Sequence, residues 1–174
     1  MRVAPELDGL EVREETGADT ATIHNLVTCA FDSGLEARLV DRLRADGDLV
    51  LSLVAELNGK IVGYAGFSRL AIQGRALKAT ALAPVAVART YRRRGIATAL
   101  VREGIRRLEE ADENLVFVLG DPPFYQRFGF DGRVARQYCA QWSGPAFMAL
   151  ELARRVEPDS RPKVQYPAAF DIFG

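Results

Sequence analysis

The sequence predicts an α/β (α+β) domain, and three observations carry that prediction. Ile96, Ala97, Leu100, Val101, Gly104, Ile105 and Leu108 recur at helical spacing, while Arg102, Glu103, Arg106, Arg107, Glu109 and Glu110 fall largely on the other side. Asn58-Gly59 separates two apolar runs, and both residues tolerate the positive φ of a tight hairpin turn. Leu115 to Leu119 is an uninterrupted apolar run, as expected of a strand covered on both faces.

The remaining elements follow in order. Leu10 to Arg13 reads as a short first strand. Asp19 is placed to cap a helix whose apolar positions are Ile23, Leu26, Val27, Ala30 and Phe31. Asp32-Ser33-Gly34 breaks it, and Leu35, Leu39, Val40 and Leu43 mark a second helix that ends near Asp46-Gly47. Leu49 to Leu57 and Ile61 to Ile72 form the hairpin strands; after Gln73-Gly74, Lys78 to Val87 is the fourth strand. Pro84 lies inside that strand, where it cannot donate to a ladder, so a bulge beside it is expected. Gly104, on the buried helix face, costs helix propensity and permits close packing on the sheet. A short turn or helix spans Pro122 to Arg127, and Phe130 onward and Ala146 to Leu152 read as two late strands. The Pro-rich tail, 157–174, is expected to pack irregularly.

A chain of 174 residues suggests one domain, 1–174, with its core at about residues 10–152. Lys plus Arg and Asp plus Glu both number 23, so the net charge is zero. That balance argues against a nucleic-acid partner, which needs a basic excess. Cys29, Cys139 and the lone His24 cannot make a zinc set, so no metal is expected. Buried, reduced thiols and a cytoplasmic location are expected, because Met1 to Asp8 lacks the apolar run of a signal peptide and no segment is long enough to span a membrane.

The chemistry concentrates after the fourth strand. Arg92-Arg93-Arg94-Gly95-Ile96-Ala97 opens the amphipathic helix. The first N–H groups of a helix lack internal partners, and the helix dipole adds positive potential there. Gly95 lets a ligand approach the backbone, and three arginines stand beside it, which makes a place to hold a phosphate. The pattern Arg92-x-x-Gly95-x-Ala97 resembles the pyrophosphate loop of the GNAT acetyltransferase superfamily. Phe124-Tyr125-Gln126-Arg127-Phe128-Gly129-Phe130 resembles that family's Phe-Tyr-x-x-x-Gly-Phe motif, and Tyr125 follows Arg92 by 33 residues. The resemblance covers roughly Leu10 to Leu152. Gly120-Asp121-Pro122 is similar to a bacterial branch of predicted acetyltransferases; the commoner family pattern has Asn at Asp121 and a longer link.

The resemblance implies a GNAT fold: a mixed, mostly antiparallel central sheet with helices on both faces, splayed between strands 4 and 5. It implies acetyl-CoA (coenzyme A) as cofactor and a small-molecule or peptide amine as acceptor, attacked directly in a ternary complex. Val85, Ala86 and Val87 would pair with the pantetheine arm. Arg92, Arg93, Arg94, Gly95, Ile96, Ala97 and Thr98 would surround the pyrophosphate, not every arginine facing it. Arg89 and Tyr91 read as an exposed loop, with the adenine end as the alternative. Tyr125 would protonate or hydrogen-bond the leaving thiolate; packing among Phe124, Phe128 and Phe130 is the alternative. Asp121 reads as the cap of a short helix, with a bond to the pantetheine arm as the alternative. No general base stands out: Glu36, His24, Trp142 and Ser143 are candidates for the acceptor side, with Glu36 more simply a surface charge beside an arginine and His24, among apolar helix positions, more simply structural. A non-catalytic acyl-CoA sensor or protein-binding module is the competing function, and a homodimer is left open.

Overall fold

The structure is a computed structural model that describes residues 7–153 and 160–174. The expectation for Met1 to Glu6 and for the start of the tail at 157–159 lies outside the described residues. Six strands form one sheet in sequence order: β1 (Leu10–Glu14), β2 (Leu49–Leu57), β3 (Lys60–Ile72), β4 (Ala79–Val87), β5 (Leu115–Leu119) and β6 (Phe147–Glu151). Neighbours are antiparallel except β4 and β5, which are parallel. Helices α1 (Thr20–Phe31) and α2 (Leu35–Asp46) cover one face, and α3 (Ile96–Glu110) covers the other. This is the mixed, mostly antiparallel sheet that the resemblance implies, and cover on both faces explains why β3 is buried almost without interruption.

The hairpin turn forms as the sequence requires, with Asn58 at φ 50° and Gly59 at φ 78°. On α3, Ile96, Leu100, Val101 and Leu108 are buried against the sheet. Gly104 lies against the fully buried Phe67, whose Cζ would stand 2.2 Å from an added Cβ. Overpacking in Gly104→Ala should cost about 1–3 kcal/mol, offset in part by the roughly 1 kcal/mol that alanine adds in helix propensity, for a net loss of up to about 2 kcal/mol. A thermal melt checks this; a raised Tm would mean that the Phe67 ring swings aside freely.

Four expectations need correction. Asp19 does not cap α1 with its side chain. It closes a 3-10 turn, Gly17–Asp19, accepting from Thr16 N–H at 2.7 Å and from the Arg13 guanidinium at 2.8 Å, and Arg13 also grips Glu56 of β2. No strand follows Phe130: Asp131 accepts from Arg133 N–H at 2.7 Å and caps a one-turn helix, α5 (Gly132–Ala135). The described tail is ordered into β7 (Val164–Gln165), which pairs with the end of β3, and a 3-10 helix, Ala168–Phe173, that buries Ala169 and Phe170. Cys29 and Cys139 are free and exposed, because residue 29 falls off the Ile23–Val27 face of α1 and Cys139 meets its neighbours through its backbone.

What positions the site is the parting of β4 from β5. They pair over three residues only, Ala79 to Ala81 against Leu115 to Phe117. The closed end is fastened twice. Lys78 N–H donates to Asn114 Oδ1 at 2.9 Å, and Arg69 holds Glu113 with two bonds of 2.7 Å. Beyond Ala81 the register of β4 against β3 slips by one residue between Leu82 and Val85, which is the bulge expected at Pro84.

Candidate active site

The gap between β4 and β5 leads to a cleft of about 720 Å³. One wall is β4. Ala88 N–H donates to Val62 O at 2.8 Å, so Val87 and Gly63 form a pair that exchanges no hydrogen bonds. The backbone polar groups of Val87, and of Val85 two residues earlier, therefore face away from β3, towards the side that β5 has left. The side chain of Ala86 goes the other way, into the core beneath α1 and α2.

The floor is the start of α3. Gly95 holds φ 87° as the residue before the first turn, and no side chain caps that turn. The N–H groups of Ile96, Ala97 and Thr98 thus have no side-chain acceptor among the described residues, and all three residues line the cleft. Gly95 is required here by its left-handed backbone, since an added Cβ would meet no atom within 4 Å.

The three arginines part company. Arg92 reaches back, donating to Ala30 O at 2.7 Å and Val87 O at 3.3 Å, and so ties the end of α1 to the end of β4. Arg94 lies over the Tyr91 ring at 5.4 Å. Arg93, at φ 60°, lines the cleft with no hydrogen bond or ion pair among the described residues. Arg89 pairs with Asp32, and Tyr91 lines the cleft.

Phe124 and Arg127 of the second motif close the far side, whereas Tyr125 lies behind them, outside the cleft lining. Pro122 and Pro123 start α4 (Pro122–Tyr125), and a 3-10 turn, Gln126–Phe128, follows. Asp121 stands before α4, but its backbone oxygen rather than its carboxylate accepts from Phe124 and Tyr125 N–H, at 3.1 and 3.2 Å. The expected side-chain cap is therefore absent, and Asp121 lies outside the cleft lining. Tyr125 packs edge-on against Phe124 at 4.9 Å and Phe130 at 5.7 Å. Burial, helped by the negative charge of Asp121, pushes its phenol up to about 12. The hydroxyl bonds to nothing among the described residues.

Arg127, Phe31 and Ala30 line the cleft although the sequence reading gave them no role there. Arg127 lies over Phe124 at 4.9 Å and donates to Thr98 Oγ1 at 3.3 Å, bridging the two motifs across the cleft; it stood in plain view inside the second motif. Phe31, at the end of α1, is 40% exposed on the cleft wall. Of the acceptor-side candidates, His24 is held by Asp41 at 2.7 Å, Ser143 closes a local turn with Ala140, and Trp142 packs on Tyr166 and Phe170. Glu36 lies in the first turn of α2.

Fold and cleft together define a GNAT acyltransferase architecture. The chain belongs to that family: the family model described as an acetyltransferase (GNAT) domain matches residues 11–132. It is 38% identical over 165 residues to the uncharacterized N-acetyltransferase YhbS of Escherichia coli (strain K12), covering 93% of this chain and 99% of that protein. The crystal structure of Escherichia coli YhbS in complex with CoA superposes with a TM-score of 0.89 at 37% identity, covering 100% and 98% of the two chains. A GNAT family acetyltransferase from Brucella melitensis, solved in complex with acetyl-CoA, gives 0.79 at 32% identity, with 93% and 98% covered. Among the described residues no helix is long and apolar enough to cross a membrane.

Proposed function

We propose that the chain is an acetyl-CoA-dependent N-acetyltransferase that passes the acetyl group directly to a primary amine, with both substrates bound at once. The observation that carries this reading is the continuity of one cleft. It runs from the backbone of Val85 and Val87, which is turned away from β3, to the amides of Ile96 to Thr98, which no side chain caps among the described residues. Those groups suit, in turn, an extended amide-bearing arm and a diphosphate. The relatives solved with CoA and acetyl-CoA support it.

Val85 and Val87 would hold the pantetheine arm through backbone bonds, as an added strand would. The N–H groups of Ile96, Ala97 and Thr98, with Arg93 as the free cation, would hold the pyrophosphate. Arg92 and Arg94 would support that loop rather than touch phosphate, since both are engaged elsewhere. The thioester supplies an activated acyl group. A backbone N–H of β4 would stabilise the charge that develops on its oxygen. Tyr125, kept protonated by burial, would donate to the departing sulfur.

Calorimetric titration with acetyl-CoA tests this, with desulfo-CoA and a free adenosine nucleotide as controls. The expected result is binding that needs both the pantetheine arm and the pyrophosphate, followed by acetylation of a member of an amine library. A folded sample that binds neither CoA nor acetyl-CoA refutes the proposal. Binding without transfer to any amine would favour a sensor.

A further inference from the structure

Three arginines line the cleft: Arg92, Arg93 and Arg127. Arg92 spends its donors on the carbonyls of Ala30 and Val87, and Arg93 stands in the loop before α3. Arg127 comes from the other wall, in the 3-10 turn after α4. Its guanidinium lies over Phe124 at 4.9 Å and over Phe128 at 5.6 Å. Nε donates to Phe124 O and Nη2 to Thr98 Oγ1, both at 3.3 Å, and no carboxylate among the described residues pairs with it. A guanidinium has five N–H donors in one fixed plane. Two long bonds to neutral oxygens use a part of that capacity. The two rings hold the plane in place, so little side-chain freedom is left to lose when a stronger acceptor arrives.

Thr98 says which acceptor that is. Its Oγ1 is the atom that Arg127 reaches, and its own N–H is one of the three amides at the start of α3. The guanidinium and those amides thus address one place in the cleft from opposite walls. Amides at a helix start favour an anion, and an arginine fork favours phosphate oxygens over a neutral hydroxyl. A diphosphate that links two groups is doubly charged. Arg93 beside the amides and Arg127 across from them match both charges. A single phosphodiester, such as the one that ties a pantetheine arm to a carrier protein, would leave one of the two cations unmatched.

We propose that Arg127 is a donor-specificity residue that grips the diphosphate of CoA from the wall opposite α3, so that the chain selects a nucleotide-borne acyl donor over one on a single-phosphate pantetheine arm. This rests on the acetyl-transfer reading above and adds how the donor is chosen. The test is competition titration of CoA, dephospho-CoA, which keeps the diphosphate and lacks the 3′-phosphate, and 4′-phosphopantetheine, with the full chain and Arg127→Gln. Arg127→Gln should weaken CoA and dephospho-CoA alike by about tenfold or more, the loss expected for a charge-assisted hydrogen bond. Phosphopantetheine should lose clearly less. Arg127→Lys, which keeps the charge without the fork, should fall in between. The gap between parent and Arg127→Gln should narrow in strong salt, which screens an exposed cation. In transfer assays the KM for acetyl-CoA should rise while kcat is kept. Equal CoA affinity for parent and Arg127→Gln overturns the proposal and leaves the acetyl-transfer reading standing. A loss seen with CoA but not with dephospho-CoA overturns it too, since Arg127 would then read the 3′-phosphate. So does an equal loss for phosphopantetheine, which would mark damage to the cleft. Should Arg127→Gln fail to fold, Arg127→Lys carries the same comparison. A folded parent that binds no CoA sinks the acetyl-transfer reading itself.

Discussion

Tyr125→Phe is expected to lower kcat by about 100-fold, the lower end of what a positioned acid contributes, while acetyl-CoA affinity persists. The substitution removes one oxygen and nothing else. The ring keeps its edge-on contacts with Phe124 and Phe130. Because the hydroxyl has no partner among the described residues, its loss orphans no buried group, and stability should hold. Burial keeps the phenol neutral far above neutral pH, so a proton is always there to give. A departing thiolate is the group that needs one. A loss of about 100-fold in turnover corresponds to about 2.7 kcal/mol of transition-state stabilisation. Steady-state kinetics beside calorimetry separates this from a packing defect, which would move affinity and Tm as well. An unchanged kcat would reduce Tyr125 to a member of an aromatic cluster.

Arg69→Met is expected to cost about 3 kcal/mol of stability, the lower end for breaking a buried ion pair, or roughly 6–12 °C in Tm for a chain of this size. The Glu113 side chain is 4% exposed, whereas Arg69 is 40% exposed. Removing the arginine strands a carboxylate away from water. Glu113→Gln leaves a half-exposed guanidinium that water can still reach, so it should cost clearly less. Urea or thermal melts of both variants measure the asymmetry. A loss under about 1 kcal/mol for Arg69→Met would mean that Glu113 regains water by local opening. The pair also binds β3 to the turn that leads into β5, so Arg69→Met should loosen the closed end of the β4–β5 gap.

Most of the framework was legible because it is written in local periodicity. The hairpin strands, the ends of α2 and the buried stripe of α3 follow from alternation, turn residues and helical spacing. The misreadings have different causes. Asp19 looked like a local helix cap, but its strongest partner, Arg13, comes from β1 and is shared with Glu56, 43 residues further along. After Phe130, Asp131 caps a turn of helix through Arg133 N–H, a local signal that the expected strand left out. The site was legible where a motif specifies backbone, as at Gly95 to Thr98. It was illegible where side chains choose between distant partners. Nothing near Arg92 announces that it will reach Ala30 O, 62 residues away, while Arg93 is left without a partner among the described residues. Glu36 was legible as a candidate only; the burial of its Oε2 depends on where α2 docks.

The parting of β4 from β5 has a consequence for what counts as the whole protein. A sheet opened in its middle transmits load poorly, since the hydrogen-bonded ladder that joins strands stops after three residues. An extended ligand laid along Val85 and Val87 would act as an inserted stave, carrying the ladder further across the gap. By mass action, such a ligand at 100 times its Kd adds about 2.7 kcal/mol to the folded state. Chain and ligand then form one composite sheet, and heat resistance becomes a gauge of how much of the protein is loaded.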